Sequence, residues 1–366
     1  MRIIRWVVLL LAVALAAAPL VEVGAYHLRD RRIRLRTLVQ LDPPPAHALV
    51  RYAGHTLIVT GALVRQARPD RLVLRAWQPT PTIHVAEPGA GPVTIELENV
   101  PGRIGLRASG PVEENRTGKT RILRFAPGET RQLLLVDRGR EVTFAVLGDT
   151  GDDPTFPEAL RRADELGAEF LLHVGDLIYG DEQMPNIARI VAQSPIPVFI
   201  VRGNHDYRNT ERIEFMRALG PPYYAFVVGG ATFIVLDNAG NYLPTFWRRS
   251  TQYRWFAAIL DVPREGPLFV AMHKPLFDRR PTHEAYLDDE PFATQLMRDF
   301  VRVRLDAALT GHVHDHHLWV EQGIPFVVSG EGYQSPKGTT HGQRMAVLRV
   351  RGRQVEIEQV PVWRRR

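Results

Sequence analysis

Hydrophobic and polar positions change period three times along the chain. An apolar run from Trp6 to Val21 comes first, preceded by Arg2 and Arg5 and followed by Arg29, Arg31, Arg32, Arg34 and Arg36. Residues 1–26 read as a signal peptide or a membrane anchor. Val23-Gly24-Ala25 offers a small-residue cleavage site, whereas the arginine cluster beyond the run conflicts with simple export under the positive-inside rule. The expected location is extracytoplasmic, exported or tethered, with the orientation open. Residues 27–45 form an arginine- and proline-containing linker ending in Pro43-Pro44-Pro45.

Residues 46–138 contain short strand-like runs, among them Thr56 to Val64, Arg71 to Ala76, Val93 to Leu97 and Gln132 to Val136, divided by glycine and proline turns. This pattern predicts a separate β-rich domain, with an immunoglobulin- or fibronectin-type sandwich as the expected form. From residue 141 to 362 strands alternate with helices. Val142–Leu147, Ala168–Val174, Val198–Val201, Leu268–Met272 and Leu305–Leu309 are strand-like, and Pro157–Leu166 and Pro185–Gln193 are helical. Gly229-Gly230 predicts a hairpin between Tyr223–Val228 and Thr232–Leu236, and Val347–Val350 with Val355–Val360 predicts another.

Composition narrows the chemistry. The 366 residues include no cysteine, so disulfides, thiolate ligands and thiol nucleophiles are all excluded. A metal here is held by His, Asp, Glu, Asn or Tyr, which suits hard or borderline ions. The net charge is +6 and almost entirely arginine, since the only lysines are Lys119, Lys274 and Lys337. The arginines are spread out and not interleaved with aromatic residues, which argues against nucleic acid as a partner.

Five polar clusters begin where strand-like runs end: Gly148-Asp149-Thr150-Gly151, Gly175-Asp176-Leu177-Ile178-Tyr179, Gly203-Asn204-His205-Asp206, Met272-His273 and Gly311-His312-Val313-His314. Each alone is a common turn. Together they aim groups from five strands at the crevice beyond the strand carboxyl ends, where α/β sheets bind ligands. One metal can take Asp149, Tyr179 and His314, and a second Asn204, His273 and His312. Asp176 can bridge them through its two oxygens. Two ions so held would polarise a phosphorus centre and supply a hydroxide at modest pH.

This order of blocks resembles the calcineurin-like metallophosphoesterase superfamily and, within it, the purple acid phosphatases, over about residues 141 to 362. The resemblance implies an α/β/β/α sandwich and hydrolysis of a phosphomonoester on a phosphorylated small molecule by a metal-bound hydroxide. A phosphodiesterase or lipid pyrophosphatase on the same scaffold is the alternative. Much of the superfamily has a His two residues after the first Asp, where this chain has Gly151. Tyr179 replaces that ligand, which implies Fe(III) paired with Zn, Mn or Fe(II). By the same resemblance His205 contacts phosphate and protonates the leaving oxygen, Asp206 orients the His205 imidazole, and His283 is a further substrate contact. Glu331 and Tyr333, after Val327-Val328-Ser329-Gly330, are candidates to line the pocket. One departure concerns the last block: Asp315-His316-His317-Leu318 stands where many members have Ala-Tyr-Glu-Arg, so substrate choice does not transfer.

Overall fold

The computed structural model describes residues 47–180, 182–210, 212–239, 251–279, 290–332 and 343–363. The amino-terminal apolar run and His283 and Tyr333 lie outside them. No helix among the described residues is long and apolar enough to cross a membrane.

Ten strands fill the first region: β1 (Ala48–Tyr52), β2 (His55–Thr60), β3 (Ala62–Ala67), β4 (Leu72–Ala76), β5 (Thr82–Glu87), β6 (Val93–Glu98), β7 (Gly105–Ala108), β8 (Glu113–Thr117), β9 (Thr120–Phe125) and β10 (Gln132–Val136). They form two five-stranded sheets, in the orders β1-β2-β5-β10-β7 and β3-β4-β6-β9-β8. β4 and β6 pair in parallel, unlike the all-antiparallel fibronectin pattern. The apolar stretch Thr56–Val64 is two strands rather than one. Gly61, with φ 79°, breaks it and sends β2 and β3 into opposite sheets.

The second region contains β11 (Glu141–Leu147), α1 (Thr155–Glu165), β12 (Phe170–His173), α2 (Met184–Gln193), β13 (Val198–Ile200), α3 (Asn204–Asn209), α4 (Arg212–Ala218), β14 (Tyr224–Val228), β15 (Ala231–Val235), α5 (Thr251–Leu260), β16 (Leu268–Ala271), α6 (Glu290–Val303), β17 (Ala307–Thr310), β18 (His316–Glu321), β19 (Ile324–Ser329), β20 (Arg344–Arg351) and β21 (Gln354–Pro361). Two sheets result, β13-β12-β11-β20-β21 and β14-β15-β16-β17-β19-β18. Both expected hairpins form, as antiparallel β14–β15 and β20–β21.

Alternation along β11 shows why the layers stack as they do. Val142, Phe144 and Val146 join the core between the sheets, while Ala145 and Leu147 join the core beneath the helices. Phe144 packs against Phe170 of its own sheet and against Phe233 and Phe269 of the other, with centroids 5.0–5.4 Å apart. α1 covers one outer face through Phe156, Ala159, Leu160 and Ala163, an i, i+3, i+4, i+7 stripe. Phe256 of α5 and Leu296 and Phe300 of α6 cover the other. The layers are therefore α/β/β/α.

The β-rich region seals an edge of this sandwich. β13 ends its sheet, so its outward backbone groups have no neighbouring strand. Asn99 supplies partners: its Nδ2 donates to Val198 O at 3.1 Å and its Oδ1 accepts from Val198 N at 2.9 Å. The buried Arg75 donates to Val198 O at 3.0 Å and to Leu219 O at 2.7 Å. A cavity of about 790 Å³ lies at the same junction, where Arg103 already pairs with Asp137 and Glu169.

Candidate metal centre

The five blocks sit at the carboxyl ends of β11, β12, β13, β16 and β17. Three of these strands belong to one sheet and two to the other, so the cluster straddles the open end of the sandwich. The turns there are strained at the side chains that matter. Asp149 (φ 57°), Asp176 (φ 58°), His312 (φ 72°) and His314 (φ 49°) all take the left-handed conformation that non-glycine residues avoid. Glycines serve mainly to clear space. A Cβ on Gly203 would overlap Asp176 Oδ1, and one on Gly311 would overlap Asp149 Oδ2.

All seven expected ligands meet there. Asp176 Oδ2 lies 3.3 Å from His273 Nε2. That nitrogen is 2.9 Å from Asn204 Oδ1 and 3.2 Å from His312 Nδ1. On the other side Asp149 Oδ1 lies 3.6 Å from His314 Nε2, which is 3.2 Å from the Tyr179 hydroxyl. Donor atoms of Asp176, His273 and His312 fall within 4.8 Å of one another, as do those of Asp149, Asp176 and His314. Asp176 is common to both sets.

Neighbouring groups fix these donors. His273 Nδ1 donates to Val174 O at 2.8 Å, which turns Nε2 into the cluster as the ring's ligand atom. Asp149 Oδ2 accepts from His312 N at 2.8 Å, and Asp176 Oδ1 accepts from His205 N at 2.8 Å. Each carboxylate thus has one oxygen occupied by a backbone amide. The other oxygens, Asp149 Oδ1 and Asp176 Oδ2, are buried without a hydrogen-bond partner. A buried carboxylate oxygen without a partner costs free energy unless a cation faces it.

The electrostatics point the same way. Burial first, and the Asp176 charge among lesser causes, hold Asp149 well above the ordinary carboxylate range. Burial alone would depress His273, but the Asp176 carboxylate 3.3 Å away outweighs it and raises the imidazole to about 9. His312 is held well below its ordinary value by burial and then by His273. The buried carboxylates draw positive charge to the cluster, and its donor set of two carboxylates, three imidazoles, an amide oxygen and a phenol fits a pair of metal ions.

Asp206 departs from the expected role. Its Oδ1 accepts from Leu177 N and Ile178 N, both at 2.8 Å, and its Oδ2 from Gly203 N at 2.7 Å and Asp176 N at 3.0 Å. With both oxygens occupied and the side chain fully buried, it clamps the Asp176 loop rather than orienting the His205 imidazole. Burial and then the Asp176 charge push it up to about 6. The half-buried His205 packs its ring on Tyr179, with centroids 4.4 Å apart. His173, inside β12, is fully buried and pairs with Thr150 Oγ1 at 2.9 Å. Burial depresses it to about 3, so it stays neutral.

Asn238 is a site-building residue that motif reading passed over. Its Oδ1 accepts from His273 N and Lys274 N, both at 3.0 Å, and its Nδ2 donates to Lys274 O at 2.8 Å. The polar Asp237-Asn238 pair does follow the β15 run, but without the glycine that marks four of the five blocks.

A mixed sandwich with this cluster at its mouth defines a metallophosphoesterase, a hydrolase acting on phosphoric esters. Residues 142–316 match the calcineurin-like phosphoesterase family, and the chain carries that domain. Serine/threonine-protein phosphatase CPPED1 of Rattus norvegicus is 29% identical over 214 residues, covering 52% of this chain and 67% of the relative. Purple acid phosphatase 22 of Arabidopsis thaliana is 28% identical over 197 residues, covering 47% of this chain and 44% of the relative. Among solved structures, purple acid phosphatase PPD1 from yellow lupin (Lupinus luteus) seeds superimposes with a TM-score of 0.52 at 13% identity, over 83% of this chain and 72% of that one. That likeness shows a shared fold.

Proposed function

We propose that the chain hydrolyses phosphomonoesters of small molecules with a dinuclear centre. Asp176, with one oxygen held by His205 N and the other buried without a partner between two donor sets, is the observation that carries this reading. Asp149, Tyr179 and His314 would hold one ion, Asn204, His273 and His312 the other, with Asp176 between them. When bound, the pair supplies Lewis acidity toward the phosphoryl group and lowers the pKa of water. His205, half-buried beside Tyr179, is placed to bind a phosphoryl oxygen and to donate a proton to the leaving oxygen. His283 keeps its expected role as a further substrate contact. The phosphatase names of the curated relatives support a phosphorylated substrate. The amino-terminal apolar run supports placement outside the cytoplasm.

Tyr179, 3.2 Å from His314 Nε2, favours Fe(III) in the first position, with Zn, Mn or Fe(II) in the second. Metal content and the visible spectrum of wild type and Tyr179→Phe test this choice. A visible band lost in the variant is expected, and a colourless wild-type protein holding two other ions rejects iron while keeping the hydrolase. Turnover of an aryl phosphate compared with its bis-aryl diester tests the substrate class. Faster diester hydrolysis would overturn the monoesterase reading.

A further inference from the structure

Where the last block departs from the family pattern, the fold gathers another set of donors. β18 and β19 run antiparallel with His316 opposite Ser329. Asp315 precedes that pair on one strand and Glu331 follows it on the other, so all three side chains come together. His316 Nδ1 lies 2.8 Å from Glu331 Oε2 and 4.0 Å from Asp315 Oδ1. Donor atoms of Asp315, His316 and Glu331 fall within 4.8 Å of one another.

Glu331 is the informative member. It is 1% exposed, and its Oε1 is buried with no hydrogen-bond partner. Among the described residues, buried carboxylate oxygens in this condition occur on only four side chains: Asp149, Asp176, Glu169 and Glu331. Asp149 and Asp176 turn theirs toward the proposed metal pair. Glu169 is offset by its ion pair with Arg103. Glu331 pairs with the His316 imidazole through Oε2, and its Oε1 has no such contact. His316 Nδ1 and Glu331 Oε2 stand at a hydrogen-bond distance of 2.8 Å, and opening them to roughly 3.3–3.6 Å would seat both on a tetrahedral ion with bonds of about 2.0–2.2 Å. The third donor is preset. Asp315 Oδ1 accepts from His316 N and its Oδ2 contacts His317 Nε2, both at 2.8 Å, so the carboxylate is held beside the imidazole.

We propose that Glu331, His316 and Asp315 form a separate site for one divalent cation of the zinc class, adjoining the dinuclear centre. Two carboxylates and one imidazole suit Zn2+ or Mn2+. Gly330 ties the site to the main centre. Its N–H donates to Asp315 O at 3.0 Å, and a Cβ there would lie 2.9 Å from Asp149 Oδ2. A cation at Glu331 would therefore fix the backbone that packs on a ligand of the proposed pair.

The test is metal stoichiometry on the full chain, stripped, reloaded with Zn2+ and dialysed. Wild type should retain one equivalent more than Glu331→Gln, and Asp315→Asn should lose the same equivalent, with at least tenfold weaker binding. Asp176→Asn should keep this equivalent while losing the other two. Equal stoichiometry in wild type and in both Glu331→Gln and Asp315→Asn overturns the separate site, whatever Asp176→Asn does. Failure of the dinuclear reading shows instead as unchanged metal content in Asp176→Asn. If Glu331→Gln does not fold, Asp315→Asn decides alone.

Discussion

The carboxylate of Asp206 holds the backbone of Asp176: its Oδ2 accepts the Asp176 N–H at 3.0 Å while Gly203 N–H approaches the same oxygen at 2.7 Å. Two turns from neighbouring strands, β12 and β13, are thereby joined under the residue common to both donor sets. A left-handed Asp176 facing inward with a buried oxygen lacking a partner is unfavourable in isolation, and this clamp is part of what maintains it.

Asp206→Asn should therefore act first on stability. An amide keeps one acceptor and turns an NH2 group toward two of the four N–H donors. Leaving buried donors unsatisfied costs about 1–3 kcal/mol each, so for two donors a loss of about 2–6 kcal/mol is expected in urea unfolding, accompanied by weaker metal retention. A variant of wild-type stability with only a slowed chemical step would restore the catalytic role expected from sequence.

Asp176→Asn should empty both metal positions and abolish turnover. Outer-sphere partners of metal ligands already contribute about 10–100-fold in affinity, and a shared ligand should matter at least as much. Metal analysis after dialysis, beside phosphatase assay, checks this. Two retained ions with residual turnover would disprove the bridging assignment.

Asn99→Ala should uncouple the β-rich region from the β13 edge. It strips the partners of Val198 N and places alanine at a φ of 67°, where asparagine is better tolerated. The expected cost is about 2–4 kcal/mol, read as a lower thermal midpoint. Unchanged melting would show that the edge is sealed by other contacts.

Lys119 gives a pH signature at the same junction. Burial, and then Arg75, lower its ammonium to about 8, while Nζ donates to Val191 O at 2.6 Å. Between about 8 and the unfolded value near 10.4 the unfolded chain binds the proton and the folded chain does not, so stability rises with pH across that window. Below it, the cost of burying the charge is fully present. Relative to Lys119→Met, wild type should gain about 1–3 kcal/mol between pH 8 and pH 10.5 in chemical unfolding. A flat difference would place the ammonium in solvent.

Much of the site was legible because its signals are local. Asp149, Asp176, Asn204, His273 and His312 each follow an apolar strand run closely, and a strand that ends at the mouth of a sheet delivers its next residues there. The clamp role of Asp206 was not legible, since adjacency to His205 suggested a pair. On the helix α3 consecutive residues point apart, and Asp206 turns inward beneath the loop at 176. Asn238 was missed for the same reason: its partner, His273, is 35 residues away.

The sequence by itself determined the strands that carry the five blocks, the absence of thiol chemistry and the residue types on offer as metal ligands, because periodicity, composition and turn chemistry are written along the chain. Tertiary structure alone decided that three blocks come from one sheet and two from the other. It also decided that left-handed strain falls on Asp149, Asp176, His312 and His314, and that one oxygen each of Asp149, Asp176 and Glu331 is buried without a partner. These are properties of packing between distant segments. Burial and hydrogen-bond satisfaction depend on what the rest of the chain places beside a group, and no local pattern encodes that.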